Sequence, residues 1–189
     1  MDLKGLKVAA LVTDGFEQAE LLSPKQALEQ AGATVDVVSP KDGKVKAWDE
    51  TDWGKEVPVD VKLSDARPSD YDALLLPGGA MNPDHLRAMP EAVQFAKSFF
   101  TSNKPVAAIC HAPWLLAEAD VIKGRTLTSY KSIRTDLKNA GANVVDKEVV
   151  VDGNLTTSRN PHDLPAFNKT IIEQFAKGAG KQANAVNAD

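Results

Sequence analysis

Pro105-Val106-Ala107-Ala108-Ile109-Cys110-His111-Ala112-Pro113-Trp114 is an apolar run that stops at a cysteine and then changes character. A short continuous apolar stretch bounded by a turn reads as a strand buried on both faces. Pro113 two residues later suits the first turn of a helix, where its missing N–H is no loss. A helix over Ala112–Ala119 follows. The cysteine therefore stands where a buried strand hands over to a helix.

The same grammar repeats outward from this point. Lys7–Thr13 is a β-rich run ending at Asp14-Gly15, and Asp72–Leu76 is a buried strand running into Pro77-Gly78-Gly79. A helix reaches Ala31 and stops at Gly32, a natural residue past a helix end. Its start is open: Ser23-Pro24-Lys25-Gln26 reads as a capping box, yet a start near Phe16 with Pro24 as a kink also fits. Thr34–Ser39 alternates as a strand, and Pro90–Thr101 is amphipathic with Val93, Ala96 and Phe100 on one face. Leu127–Ser129, Val144–Val145, Glu148–Val151 and Leu155–Ser158 read as short strands, Ser132–Ala140 and Asp163–Ala176 as helices. Lys41–Ser69, with Trp48, Trp53 and Val57-Pro58-Val59-Asp60-Val61, reads as a small antiparallel insertion. Strands alternating with helices predict an α/β three-layer sandwich around a mostly parallel sheet. Residues 1–177 make one domain on this reading, and the small, polar segment 178–189 is expected to be disordered.

Composition narrows the function classes. The chain has 189 residues, 43% hydrophobic and 25% charged, with a formal net charge of −4, so it suits a soluble globular enzyme. No basic stripe points to nucleic acid or an anionic membrane, and no 18-residue apolar run points to a transmembrane helix. The run Val8–Val12 is too short for a signal peptide. A single cysteine fits a reducing, cytoplasmic compartment.

Cys110 is the leading candidate nucleophile. A helix N-terminus and the adjacent His111 would favour its thiolate, so its pKa is expected below the ordinary value. A buried structural cysteine would produce the same spacing. Gly79 N–H and an amide after Cys110 could form an oxyanion hole, though a turn that merely needs glycine is the simpler reading of that loop alone. Glu17 and Glu20 follow the first strand and lie one helical turn apart, and either could meet the thiol as a protonated acid. Their other reading is a solvated first-turn acid. Asp84 could orient a histidine or could be a turn residue. His162 and His85 read more simply as surface or capping residues. The spacing of three histidines and one cysteine matches no metal site, and no phosphate-binding or dinucleotide fingerprint is present.

Four motifs in order, Asp14-Gly-Phe-Glu-Gln-Ala-Glu-Leu21, Leu76-Pro-Gly-Gly79, Ala107-Ala-Ile-Cys-His-Ala-Pro113 and Thr157-Ser-Arg-Asn-Pro161 with Asp163-Leu164, resemble the PfpI family of the ThiJ/PfpI superfamily. The resemblance implies a flavodoxin-like fold, related to class I glutamine amidotransferases, with Cys110 at a nucleophile elbow beside His111. It implies that Glu20, with Glu17 second, hydrogen-bonds the thiol. A third acid crosses a subunit interface in such proteins; Asp84 is the nearest match, one methylene shorter than the usual Glu. The implied activities are those of a stress-associated cysteine hydrolase that needs no cofactor. They comprise a deglycase or glyoxalase acting on methylglyoxal or glyoxal adducts of proteins and nucleotides, an intracellular cysteine peptidase, or a redox-sensing chaperone without turnover. The implied partners are a small carbonyl or glycated-adduct substrate and further copies of the chain, as dimer or hexamer.

Overall fold

In the computed structural model, which describes the backbone of residues 1–186 and the side chains of residues 1–178, strands and helices alternate along the chain. They run β1 (Lys7–Leu11), β2 (Phe16–Glu17), α1 (Gln18–Gln30), β3 (Thr34–Ser39), β4 (Lys44–Asp49), β5 (Asp52–Pro58), β6 (Val61–Lys62) and β7 (Ala73–Leu76). There follow α2 (Met81–Arg87), α3 (Pro90–Thr101), β8 (Val106–Ile109), α4 (Pro113–Glu118), β9 (Thr126–Leu127) and α5 (Arg134–Asn139). The last elements are β10 (Asn143–Val144), β11 (Val149–Asp152), β12 (Leu155–Ser158) and α6 (Leu164–Val186).

Seven strands form the central sheet in the order β11-β12-β8-β7-β1-β3-β6. All neighbours pair in parallel except β11 with β12. The period-2 alternation of a strand splits the core in two. Val8, Ala10 and Val12 face one side with Leu21 and Leu28 of α1 and Phe167, Ile171 and Phe175 of α6. Ala9 and Leu11 face the other, with Leu86 of α2, Phe95 and Phe99 of α3, Leu115 of α4 and Leu137 of α5. This is the three-layer α/β sandwich expected from the sequence. Chain order reverses direction across the sheet at β1, whose neighbours are β3 and β7. Open α/β sheets bind ligands beyond the carboxyl ends of their strands at such a point.

Several local expectations are corrected. Helix α1 starts at Gln18 and carries Pro24 inside it, so Ser23 is not its cap. The insertion is antiparallel only as the β4–β5 hairpin; Val61–Lys62 instead joins the main sheet parallel to β3. The hairpin is tied back to the sheet by β2, which pairs with β4 through Phe16↔Ala47 and Glu17↔Trp48. Residues 81–87, to which the sequence pattern assigns no element, form helix α2, with Asp84 in its first turn. Residues 131–133 form a 3-10 turn ahead of α5 rather than part of it. Helix α6 extends past Ala176, and Gly178 packs so closely on Pro105 that an added Cβ would lie 2.4 Å from its ring. The rest of the segment expected to be disordered lies outside the residues whose side chains are described.

Candidate active site

Three strand ends meet at one point. Cys110 closes β8 with φ +65°, in the left-handed region that a residue with a β-carbon enters at a cost of about 1–2 kcal/mol. Two backbone bonds hold it there: Cys110 N–H donates to Ser158 O (3.1 Å) at the end of β12, and Cys110 O accepts from Tyr130 N–H (2.9 Å). Gly78 and Gly79 arrive from β7. A β-carbon on Gly78 would fall 2.5 Å from Glu20 Oε2 and 2.6 Å from Cys110 Cβ, so only glycine lets the loop approach the thiol. Gly79, at φ +78°, presses on Gly15 O and Glu17 N from the loop after β1.

Glu20 supplies the third component. It is fully buried at the start of α1, and its Oε2 accepts from Gly78 N–H at 2.9 Å. The carboxyl lies beside the Cys110 thiol. Its Oε1 is buried with no hydrogen bond, so the sulfur is the group that a proton on Oε1 would reach. Burial, with the negative charge of Glu17 adding to it, pushes the Glu20 pKa up to about 8. Near neutral pH it is therefore a protonated carboxyl in reach of the thiol.

The thiol itself reverses the sequence expectation. Burial to 5% exposure drives the Cys110 pKa well above its ordinary value, and the Glu20 carboxylate, when charged, drives it further. The backbone amides of Gly79 and His111 pull in the other direction, and burial outweighs them. A four-helix-turn dipole is not available to help: α4 is only six residues long. The group placed to take its proton is the adjacent imidazole. His111 Nδ1 lies 3.1 Å from Sγ, and burial lowers the imidazole pKa, which keeps the ring neutral and able to accept a proton. The Gly79 and His111 amides that face the sulfur are also the donors placed to hold an oxyanion formed on it.

A cleft of about 960 Å³ opens above Cys110. Glu17, Glu50 and Trp48 line one side, and Tyr130, Lys131, Arg134 and Arg159 the other. Glu17 is half-buried, with its pKa raised by burial and by the negative charges of Asp49 and Glu50. His162 also lines the cleft, exposed, its N–H donating to Asn160 Oδ1 at 3.0 Å. Asp84 does not. It sits on the exposed side of α2, with Oδ1 accepting from Arg87 Nη2 at 2.6 Å, and within one chain it reaches neither His111 nor Cys110. Among the described residues no group of three or more His, Cys, Asp or Glu side chains is placed to hold a metal ion.

Two supports escaped the sequence reading. Asn82 is fully buried on α2; its Oδ1 accepts from Thr13 N–H (2.8 Å), and its Nδ2 donates to Pro77 O (3.0 Å) and Gly78 O (3.2 Å). It staples the end of β1 to the glycine loop. Arg159 clasps buried Asp163 through Nε and Nη2, both at 2.9 Å, and reaches Asp146 with Nη1 at 2.9 Å. Arg134 grips the same Asp146 (2.9 and 3.1 Å), fixing the loop before β11 as one wall of the cleft. The four-motif pattern contained Arg159 and Asp163, but only the fold shows that they face each other.

A family model described as the DJ-1/PfpI family matches residues 6–174. General stress protein 18 of Bacillus subtilis is 50% identical over 175 residues, covering 92% of this chain and 99% of that protein. The Bacillus subtilis protein named "Putative cysteine protease YraA" is 49% identical over 166 residues, covering 88% and 96% respectively. Among solved structures, a two-domain protein from Anabaena variabilis with DJ-1/ThiJ/PfpI-like and ferritin-like domains superposes with a TM-score of 0.85 at 36% identity. The match covers 93% of this chain and 49% of that longer one. Drosophila melanogaster DJ-1beta superposes at 0.81 with 29% identity, covering 97% of this chain and 98% of the other.

Proposed function

This chain belongs to the DJ-1/PfpI family, and from that premise we propose that it is a stress-associated cysteine hydrolase of the deglycase or glyoxalase type, acting on methylglyoxal or glyoxal adducts. The observation that carries the reading is the pair of proton carriers around one sulfur. Neutral His111 Nδ1 stands 3.1 Å from Sγ, and Glu20, pushed up to about 8, lies beside it. Carbonyl-adduct chemistry needs both: a base for the thiol and an acid for the departing amine.

The steps balance without a cofactor. The thiol proton passes to His111, and sulfur displaces the amine from the aminocarbinol carbon while Glu20 protonates the leaving nitrogen. The Glu20 carboxylate then takes the hydrogen from that carbon as a proton and returns it to the adjacent carbonyl carbon, while the hydroxyl proton passes to the neighbouring oxygen, giving a 2-hydroxy thioester. Water adds its hydroxyl to the acyl carbon and releases a 2-hydroxy acid, and its remaining proton with the one held by His111 restores the thiol and the Glu20 carboxyl. The Gly79 and His111 amides support the oxygen that gains charge. A cleft of about 960 Å³ has room for an adduct and part of the residue that bears it. A reducing cytoplasm suits the single thiol, and self-association would let outward-facing Asp84 approach a second copy.

A cysteine peptidase is the second reading. It is favoured by the Cys110–His111 contact and by likeness to the relative named as a cysteine protease. Turnover of methylglyoxal-modified amino acids, measured beside casein-type peptide hydrolysis on one pure sample, separates the two. We expect adduct turnover, lost in Cys110→Ser with the fold intact. Peptide hydrolysis alone would transfer the conclusion to the peptidase. Retention of more than about a tenth of the activity by the serine variant, a loss under ~1.4 kcal/mol, would remove Cys110 as nucleophile.

A further inference from the structure

His111 is held on each side. Its ring stacks on Tyr130, with centroids 4.6 Å apart and planes 24° from parallel, and meets the edge of Trp114 at 5.2 Å. Nδ1 faces Cys110 Sγ at 3.1 Å, and Nε2 lies 3.2 Å from Ser132 Oγ. We propose that Ser132 is a positioning residue that completes a Cys110–His111–Ser132 relay within this chain, its hydroxyl oxygen accepting from His111 Nε2–H so that the Nδ1 lone pair faces the thiol. The proposal rests on Cys110–His111 proton transfer as read above, and is independent of which substrate follows.

The assignment follows from counting protons. A neutral imidazole carries one N–H and one lone pair. A thiol that gives up its proton within the site passes it to an unprotonated nitrogen, and the one in reach, at 3.1 Å, is Nδ1. The ring proton then sits on Nε2 and needs an acceptor, and among the described residues Ser132 Oγ is the group bonded there. Asp84, which the family resemblance offers from a neighbouring subunit, is paired with Arg87 within its own chain and does not reach this ring. When the proton crosses from sulfur to Nδ1, one S–H bond breaks and one N–H bond forms. The ring becomes an imidazolium, and its Nε2–H bond to Ser132 becomes charge-assisted and stronger. Ser132 thus favours the state in which sulfur is a thiolate.

The chain fixes the hydroxyl well enough for this. Ser132 lies in the 3-10 turn at residues 131–133, between two anchors. On one side Tyr130 N–H donates to Cys110 O at 2.9 Å; on the other Ile133 is buried in the core under α5. Its side chain is exposed and packs little, so truncation should spare the fold.

The test is the tautomer of His111 in the full-length protein, read from two-bond 1H–15N correlations with ring-labelled histidine. The His111 signals are assigned by their loss in His111→Gln. Wild type should show the Nε2–H form. Ser132→Ala should mix the tautomers and slow iodoacetamide alkylation of Cys110 about fivefold, the worth of one neutral hydrogen bond. Ser132→Thr, which keeps the hydroxyl, should restore both. An Nδ1–H tautomer in wild type would overturn the relay, as would a Ser132→Ala variant with unchanged tautomer and alkylation rate. Absent adduct turnover with intact tautomer and alkylation responses would sink the substrate reading and leave the relay standing.

Discussion

At Cys110 the backbone is bent to φ +65° and held by Ser158 and Tyr130. The strain aims the thiol out of the strand and into the space between Gly79 and Glu20. Its presence can be measured without any assay of activity. In most settings alanine is more stable than glycine, because glycine gains more freedom on unfolding; at a positive φ the order inverts. Cys110→Gly is therefore expected to unfold about 1 kcal/mol later than Cys110→Ala in chemical denaturation. Both lose the same thiol, so the comparison cancels its burial. An alanine variant at least as stable as the glycine one would mean that the turn carries no strain. The motif made the position of Cys110 legible in the sequence, but its ionisation was misread. A strand-to-helix turn suggested a thiol exposed to helix amides, whereas the glycine loop and Glu20 lie against it and burial dominates.

Elements with a strong period were readable. β1, β3, β7, β8 and α3 have runs of apolar residues at spacing 2, unbroken or at helical spacing, and nothing competes with that signal. Helix α2 was not, because Ala80-Met81-Asn82-Pro83-Asp84 is made of turn formers. Pro83 is tolerated since it occupies the first helical turn, where N–H groups have no partner in the helix. What fixes α2 is tertiary: Asn82 binds Thr13 N–H and the carbonyls of Pro77 and Gly78, all distant from any local pattern. The same bonds give a prediction. Asn82→Ala takes the side-chain partner from Thr13 N–H and Pro77 O, while Gly78 O keeps Glu17 N–H at 3.3 Å, and should cost roughly 2–4 kcal/mol, at about 1–3 for each group left fully unpaired and less where water enters. Asp84→Ala, two residues further along the same helix on its exposed side, should cost under about 1 kcal/mol. Denaturant midpoints of the two variants check this. Asn82→Ala should also slow thiol alkylation, because Gly78 O loses its anchor on α2 and the Gly79 amide drifts from the sulfur. Equal costs at the two positions would show that α2 is held by its apolar face alone.

The whole sheet converges its strand ends on one buried acid, and the molecule as a whole carries the cost of that acid. Glu20 has an ordinary pKa of 4.5 and a folded value of about 8. Between these limits the unfolded chain has released the proton and the folded chain still holds it. Stability therefore falls as pH rises through this window, by up to roughly 5 kcal/mol at 1.36 kcal/mol per unit. His111 works against the trend. Its folded pKa is lowered, so its own contribution grows as pH rises toward the ordinary histidine range. The clean measurement is thus a difference. Glu20→Gln cannot ionise, and its amide oxygen can still accept from Gly78 N–H, while every other titrating group remains. The thermal midpoints of wild type and variant, measured at pH 5, 6.5 and 8, should lie close together at pH 5. They should separate progressively above it, with the variant the more stable at pH 8. Adduct turnover should be lost in the same variant, since an amide cannot shuttle the proton. Greater stability joined to lost activity would mean that the fold keeps a costly buried acid for its chemistry. Parallel midpoints across the range would mean that Glu20 is already ionised in the folded protein, and the proton required at the leaving nitrogen would then have to come from Cys110 through His111.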